Sequence, residues 1–130
     1  MYIDEALNVI YPINCEGDAP ITIYMAHSDV VFPDTDPLPL RVEDGKIFCP
    51  GVWDDTANAV ALLTVAKYIA EKKLKPEGEG VLLVINSCEE GLGNLKGSKK
   101  IMEIFGARTR EFISFDGSPK KITNKAIPND

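Results

Sequence analysis

The chain has 130 residues, with 14 Lys and Arg against 20 Asp and Glu, so its formal net charge is -6. This length fits a single domain, and 45% hydrophobic with 26% charged residues excludes a disordered or low-complexity chain. The acidic balance argues against a nucleic-acid partner and against anionic membranes, because both need clustered Lys and Arg. No apolar run approaches the ~20 residues that a membrane span requires.

The cysteines and the N-terminus predict a cytoplasmic protein. Cys15, Cys49 and Cys88 are an odd number without close spacing, which is typical of reduced thiols rather than of a disulfide scaffold. The first ten residues carry two acidic side chains and do not resemble a secretory signal.

The first half of the chain predicts strands and a long irregular segment. Asn8–Ile13 is a short strand, weakened as a central strand by Pro12, and Ile21–Ala26 is a strong strand that ends at His27. The segment from Val31 to Pro50 is rich in proline and acidic residues. Within it, the runs 40–42 and 46–48 around Asp-Gly predict a small hairpin.

The second half predicts two helices and two strands. Asp54–Ala70 is the strongest helix, with Asp54 or Asp55 as its N-cap, and its nearly all-round apolar surface predicts burial against a sheet. Val81–Ile85 is an apolar strand, and Glu111–Phe115 is a further strand that ends at Asp116. Between them, a Gly-rich loop leads to a helix over 98–105 with three apolar residues facing inward: Ile101, Ile104 and Phe105.

This alternation predicts an α/β fold, with an open, largely parallel sheet and helices on both faces. Residues 1–118 would form the folded part, and residues 119–130, which have no periodicity, would form a disordered or extended tail.

Polar residues follow the predicted strand ends, where open parallel sheets bind ligands. The set comprises His27, Asp29, Asp54, Asp55, Glu89, Glu90 and Asp116. So many carboxylates cannot stay ionised together without countercharge, and no Lys or Arg lies among them. An imidazole with carboxylates favours Zn²⁺ or a related transition metal over Mg²⁺ or Ca²⁺. The sequence therefore predicts a metal site, with a pair of divalent cations as the simplest countercharge.

The spacing within these motifs suggests separate roles. Asp29 lies two residues after His27, on the same face of a strand, so its carboxylate could accept the imidazole N–H that points away from a metal. Of Glu89 and Glu90, one would bind metal and the other would act as general base. Taken singly, each motif also has a structural interpretation: a strand-end His, a helix cap, a solvated acidic pair or an ordinary turn.

The ordered motifs resemble the co-catalytic zinc peptidase family that includes peptidase T, carboxypeptidase G, aminoacylase and succinyl-diaminopimelate desuccinylase. The motifs are His27-Ser-Asp29, Gly51-Val-Trp-Asp54-Asp55, Glu89-Glu90-Gly91 and a strand-end Asp116, and they span about residues 21–118. The resemblance implies a partial metallopeptidase catalytic domain that hydrolyses peptide or N-acyl amide bonds.

The resemblance also assigns roles to these residues. His27 and Asp116 would bind one zinc, Glu90 would bind a second, and Asp54 would bridge the two. Glu89 would be the general base and Asp29 would orient His27. The family typically has a cis peptide just after the bridging Asp, here between Asp54 and Asp55.

Two departures from the family pattern affect the functional interpretation. The family completes its second metal with a later His and adds a lid domain, whereas His27 is the only histidine in these 130 residues. We therefore expect one zinc or none, and impaired or absent activity. The family usually has a small residue where Trp53 stands, so the indole would either crowd the site or pack under the 31–50 segment.

Three functions remain open at this stage. The first is metal-dependent hydrolysis of a peptide or an N-acyl amino acid. The second is a non-catalytic, degenerate domain that acts by self-association or partner binding, since a truncated sheet would expose an edge and favour a homo-oligomer. The third, a phosphate-binding domain built on the 91–97 loop, lacks the phosphate-loop pattern and is the weakest.

Overall fold

The computed structural model describes residues 1–32 and 36–117, which form a five-stranded sheet, a small hairpin and two helices. The strands are β1 (Tyr2–Ile3), β2 (Val9–Ile13), β3 (Ile21–His27), β4 (Arg41–Glu43), β5 (Lys46–Phe48), β6 (Gly80–Asn86) and β7 (Thr109–Ser114). The helices are α1 (Ala57–Lys72) and α2 (Lys96–Phe105), and short helical turns lie at Val52–Thr56, Gly91–Gly93 and Gly106–Arg108.

The sheet is open and largely parallel, as predicted. Its strand order is β1-β2-β6-β3-β7. Strand β3 pairs in parallel with β6 and β7, and only β2 runs in the opposite direction among these five described strands. Pro12 lies in the part of β2 that extends past β1, so that β6 is the only described strand beside it. The predicted hairpin is confirmed as the separate pair β4–β5.

Each face of the sheet packs against one helix, which confirms the predicted α/β layering. On one face, α2 contributes Ile101 to a buried cluster with side chains of β2, β3 and β6, among them Ile23, Met25 and Val84. On the other face, α1 contributes Ala59 and Leu62 to a second buried cluster. Alternate residues of one strand serve the two clusters because successive strand side chains point to opposite faces.

Both helices differ from their predictions in detail. Helix α1 begins at Ala57, because Asp54 and Asp55 have non-helical backbone angles. The predicted N-cap is wrong, since the N-cap residue Thr56 makes no capping bond and both Asp side chains lie before it. Only one side of α1 is covered by strands, so Val60 and Tyr68 are about half exposed, contrary to the predicted burial. The prediction for Ile104 is wrong for the same reason, since only the Ile101 side of α2 faces the sheet.

The remaining expectations concern the cysteines, the termini and the membrane. The three cysteines are unpaired, as predicted. Within the described residues, neither helix has the length and apolar character that a membrane crossing needs. The expected tail 119–130 lies outside the described residues.

Gly97, at the start of α2, allows close approach between the helix and the loop after β6. The side chain of Asn8 lies between them: its Oδ1 accepts the Ser87 N–H at 3.2 Å, and its Nδ2 donates to the Gly97 carbonyl at 3.0 Å. A Cβ on Gly97 would collide with Asn8 Oδ1 and the Ser87 carbonyl and would lie 2.9 Å from the Ser87 nitrogen. This contact fixes the loop that carries Glu89 and Glu90.

We therefore expect Gly97→Ala to lower the free energy of unfolding by about 2–3 kcal/mol, the upper range for overpacking a close contact. Gly106→Ala is the matched control, because Gly106 already has helical backbone angles and its added Cβ would meet only the flexible Met102 side chain. Urea denaturation of both variants measures the difference. Equal stability of the two variants would contradict the role given to Gly97.

Candidate metal centre

The carboxyl ends of three strands are in register at one edge of the sheet. His27 in β3 is opposite Asn86 in β6, and the Ser28 N–H donates to the Asn86 carbonyl at 2.9 Å. On the other side of β3, the Phe115 N–H donates to the Met25 carbonyl at 2.8 Å. The residues that follow β3, β6 and β7 therefore meet at this edge, as the sequence predicts.

The imidazole of His27 is held in one orientation and is only 3% exposed. Its Nδ1 lies 2.9 Å from the main-chain oxygen of Asp29. Since a carbonyl oxygen can only accept, Nδ1 is the donor in this bond. The other nitrogen, Nε2, lies 3.2 Å from Asp54 Oδ1 and 3.9 Å from Asp116 Oδ1. A nitrogen lone pair facing two carboxylates is favourable only with a cation between them, either a proton or a metal ion.

The electrostatics at His27 favour the same conclusion. Burial lowers the pKa of the imidazole, but the Asp29 carbonyl and three carboxylates, those of Asp55, Glu89 and Asp54, outweigh burial and raise the pKa above its ordinary value. The environment of Nε2 thus attracts positive charge despite its burial.

Asp29 connects His27 to the loop after β6, although not through the predicted atom. The spacing predicts a bond between His27 and the Asp29 carboxylate, but the Oδ1 of that carboxylate is 3.9 Å from Nδ1 and the main-chain oxygen makes the shorter contact. The carboxylate of Asp29 is directed to the loop after β6 instead. There it accepts the main-chain N–H of Glu89 at 3.1 Å and that of Glu90 at 2.9 Å. One residue therefore orients the imidazole and both glutamates.

Asp55 and Asn58 hold the segments around His27 in place by hydrogen bonds, and neither role was predicted from the sequence. The fully buried Asp55 accepts the main-chain N–H of His27 at 2.9 Å and also accepts from the Asn58 side chain. Asn58 donates to the Gly117 carbonyl at 3.3 Å, next to Asp116. Burial raises the pKa of Asp55, although Asn58 and His27 act in the opposite direction. The sequence signal that could have indicated this role is Asn58, which stands in the first turn of α1, three residues after Asp55.

Glu89 and Glu90 lie on the loop after β6, and each has a carboxylate oxygen within 4.8 Å of an imidazole nitrogen of His27. Burial raises the pKa of Glu89, His27 lowers it, and the neighbouring carboxylates, with that of Asp116 acting most strongly, raise it further. A carboxyl group with a raised pKa is suited to accept and release a proton near neutral pH.

Two sets of potential ligand atoms lie close enough to share an ion. In one set, atoms of His27, Asp54 and Asp116 all lie within 4.8 Å of one another, and in the other the same is true of His27, Glu89 and Glu90. The first set is the one predicted for a single zinc. Among described residues, no such set contains both Asp54 and Glu90, so the bridging role of Asp54 stays a prediction. One imidazole with several carboxylates fits Zn²⁺ or a related transition metal.

The turn that carries Asp54 matches one prediction. The peptide bond between Asp54 and Asp55 is cis, as the resemblance implied. Trp53 is 53% exposed, and whether it crowds the site or packs under the 31–50 segment stays a prediction.

His27 belongs to both sets, so replacing it should have the strongest effect on metal binding. We expect His27→Asn to weaken Zn²⁺ or Co²⁺ binding more than about 100-fold. Loss of a residue that only orients a metal ligand typically weakens metal binding by about 10–100-fold, and loss of the ligand itself should exceed this. Calorimetric titration and the visible spectrum of Co²⁺ measure this effect. Asp18→Ala, at an exposed acidic residue that precedes the start of β3 and so lies at the opposite end of that strand from His27, is the control and should bind normally. Unchanged affinity in the His27 variant would show that the ion binds elsewhere.

A family model matches most of the chain. The family model described as Peptidase family M20/M25/M40 matches residues 23–123, a range that contains all six predicted catalytic and metal-binding residues. No curated protein matches the chain.

Proposed function

Because the chain belongs to peptidase family M20/M25/M40, which is generally metal-dependent, we propose that it contributes part of a zinc-dependent hydrolase site for peptide or N-acyl amide bonds. Residues 1–118 would be part of the catalytic domain. The observation that carries the proposal is the position of His27, whose Nε2 faces Asp54 and Asp116 while Nδ1 is held by Asp29. This arrangement offers one imidazole and two carboxylates to a cation.

In this proposal, His27, Asp54 and Asp116 hold one metal ion, and Glu90 contributes to a second metal position. When bound, zinc supplies Lewis-acid polarisation of a carbonyl and lowers the pKa of water. Three protein ligands and an open position suffice for a catalytic zinc. The second position has no imidazole of its own besides that of His27 within these 130 residues, so we propose that activity of the chain alone is low.

The remaining groups position atoms and move protons. Glu89 accepts a proton from the attacking water and returns it to the leaving nitrogen. Its raised pKa brings it closer to neutral pH, and the Asp29 carboxylate fixes its main chain through the N–H bond at 3.1 Å. Asp55 and Asn58 keep the turn at Asp54 and the residues after β7 in place around His27.

The proposal is tested by metal content and hydrolysis of the same preparation. We expect the purified chain to bind about one equivalent of Zn²⁺ and to hydrolyse an aminopeptidase or deacylase substrate slowly, with loss of hydrolysis on chelation and recovery with Zn²⁺. Protein that binds no metal and hydrolyses no substrate in either state would favour the non-catalytic alternative.

We also propose self-association, which fits either function. Two surfaces support it: β7 is a six-residue strand with no further strand beside it among the described residues, and α1 leaves Val60, Leu63 and Tyr68 exposed. Edges and apolar faces of this kind favour pairing between copies. We expect size-exclusion chromatography with light scattering to show a dimer or larger assembly at micromolar concentration, whereas a monomer would contradict this proposal.

A further inference from the structure

Asn8 is a fully buried polar residue that the proposed chemistry does not use. Its side-chain amide contacts two segments that lie 79 and 89 residues later in the chain: Oδ1 accepts the Ser87 N–H at 3.2 Å, and Nδ2 donates to the Gly97 carbonyl at 3.0 Å. We call residues 87–97, which run from the end of β6 to the start of α2 and include both glutamates of the candidate site, the acidic loop. The amide of Asn8 therefore connects the two ends of the acidic loop.

The main chain of the acidic loop is closed by bonds that begin at these two ends. The Gly97 N–H donates to the Ser87 carbonyl at 3.2 Å, and the next two main-chain pairs inward bond at 3.1 and 3.4 Å. The last of these pairs uses the Glu89 carbonyl. Asn8 binds the remaining N–H and carbonyl of the first pair, so a displacement at Asn8 reaches Glu89 through three consecutive bonds.

Asp4 fixes the orientation of the Asn8 amide. Its Oδ2 accepts Asn8 Nδ2 at 2.8 Å, and its Oδ1 accepts the Asn8 main-chain N–H at 2.9 Å. Since carboxylate and carbonyl oxygens can only accept, Nδ2 must face Asp4 and Gly97, and Oδ1 must face the Ser87 N–H. An Asp at position 8 would have the same shape, but it would face the Asp4 carboxylate and leave the Gly97 carbonyl without a donor.

Only one of the two sets of potential ligand atoms depends on the acidic loop. That set contains Glu89 and Glu90 together with His27. The other set, formed by His27, Asp54 and Asp116, has no member on the loop. A residue that positions the loop should therefore affect the two sets differently, whereas a residue that only stabilises the fold should not distinguish them.

We propose that Asn8 is a positioning residue of the candidate metal centre, which holds the acidic loop so that Glu89 and Glu90 face His27. Asn8 holds the ends of the loop, while the Asp29 carboxylate holds the two glutamate amides. Partners of this kind fix the orientation of groups around a metal without touching it. This inference rests on the proposed function, because it concerns the general base and the second metal position.

The first experiment uses the metal-free protein and measures amide hydrogen exchange by NMR. In Asn8→Asp, the exchange rates of the Glu89 and Glu90 amides should rise at least about tenfold relative to that of Ile23, because the loop loses a buried hydrogen bond at its end. The buried Ile23 of β3 reports unfolding of the whole sheet, so the ratio isolates the loop.

The second experiment measures Zn²⁺ binding by calorimetry, with the visible spectrum of Co²⁺ as the spectroscopic signature. Asn8→Asp should weaken the binding beyond the first equivalent by about 10–100-fold, as is usual for loss of a residue that orients ligands. The first equivalent, bound by the set that has no member on the loop, should keep its affinity.

Two further variants separate positioning from stability. Asp4→Asn removes an acceptor from the Asn8 amide at a partly exposed position and should change exchange and metal binding in the same direction by a smaller factor, even if Asn8→Asp does not fold. Asn14→Ala is the matched control, because the Asn14 amide donates to the Glu79 carbonyl at 2.9 Å, before the start of β6 and at the opposite end of that strand from the loop. It should leave the exchange ratio and both metal affinities unchanged.

The outcomes distinguish this inference from the function on which it rests. If neither Asn8→Asp nor Asp4→Asn changes the exchange ratio of the two glutamates or the binding beyond the first equivalent, Asn8 does not position the loop. Equal losses at both metal equivalents would also overturn the inference. If the wild-type chain binds no Zn²⁺, the proposed function fails, whereas faster exchange at Glu89 and Glu90 in these variants would still support the role of Asn8 in holding the loop.

Discussion

Replacing Glu89 by Gln is expected to lower hydrolysis by the zinc-loaded chain about 10²–10⁴-fold while leaving zinc affinity nearly unchanged. Gln keeps the size of the side chain and its main-chain bond to Asp29, but it cannot accept the proton of the attacking water. Initial rates at saturating zinc, compared with calorimetric zinc affinity of the same preparations, measure the two effects separately.

Glu90→Gln is the matched comparison because it removes one charge from the neighbouring residue. In the proposal Glu90 is a ligand of the second position, so this variant should lose the weaker zinc binding beyond the first equivalent, whereas the Glu89 variant should lose only rate. Equal losses of zinc affinity in both variants would mean that Glu89 is a ligand, as its place in the second ligand set allows, and not the base.

Asp55→Ala should lower the free energy of unfolding by about 2–3 kcal/mol, or the melting temperature by roughly 10 °C. The side chain is fully buried, and its removal leaves the main-chain N–H of His27 without its acceptor and leaves the Asn58 amide with only the Gly117 carbonyl. Part of this loss is offset because burial already disfavours the charged carboxylate, as its raised pKa indicates. Thermal unfolding of the metal-free wild-type and variant proteins measures this loss of stability.

Asp54→Ala is the control for this prediction, since Asp54 is the adjacent residue of the same type but its side chain is 57% exposed. Its removal should change metal-free stability by less than about 1 kcal/mol, while zinc binding is lost. The metal-free stability of Asp55→Asn should lie between those of Asp54→Ala and Asp55→Ala, because an amide oxygen can still accept the His27 N–H. Metal-free stabilities that do not separate Asp54→Ala from Asp55→Ala would contradict the division between a metal-facing and a supporting aspartate.

The sequence predicted the strands that carry the site because their patterns are local. The run before His27 is apolar at both strand faces, as a strand covered on two sides requires, and it ends where polar residues begin. Once three such strands are parallel, their ends meet, so His27, Glu89 and Asp116 could be grouped without coordinates.

Other features depend on contacts between distant segments, and the sequence pattern does not encode them. An Asp before an apolar helix has the pattern of an N-cap, but the carboxylate of Asp55 binds the main chain of β3, 28 residues earlier. The choice between carbonyl and carboxylate at Asp29 depends on how the chain turns after β3. The apolar surface of α1 predicts burial, but the fraction of that surface that is buried depends on how many strands the helix packs against.

The double use of Asp29 restricts how the length of this chain can vary. Its carbonyl binds the imidazole two residues earlier while its carboxylate spans to the amides of Glu89 and Glu90, so an insertion or deletion at Ser28 would break both connections at once. The hairpin β4–β5, whose six residues are all exposed, carries no such constraint. Natural or engineered length changes should therefore accumulate in the hairpin, and a tag or epitope inserted there would leave the imidazole and the acidic loop in their mutual alignment.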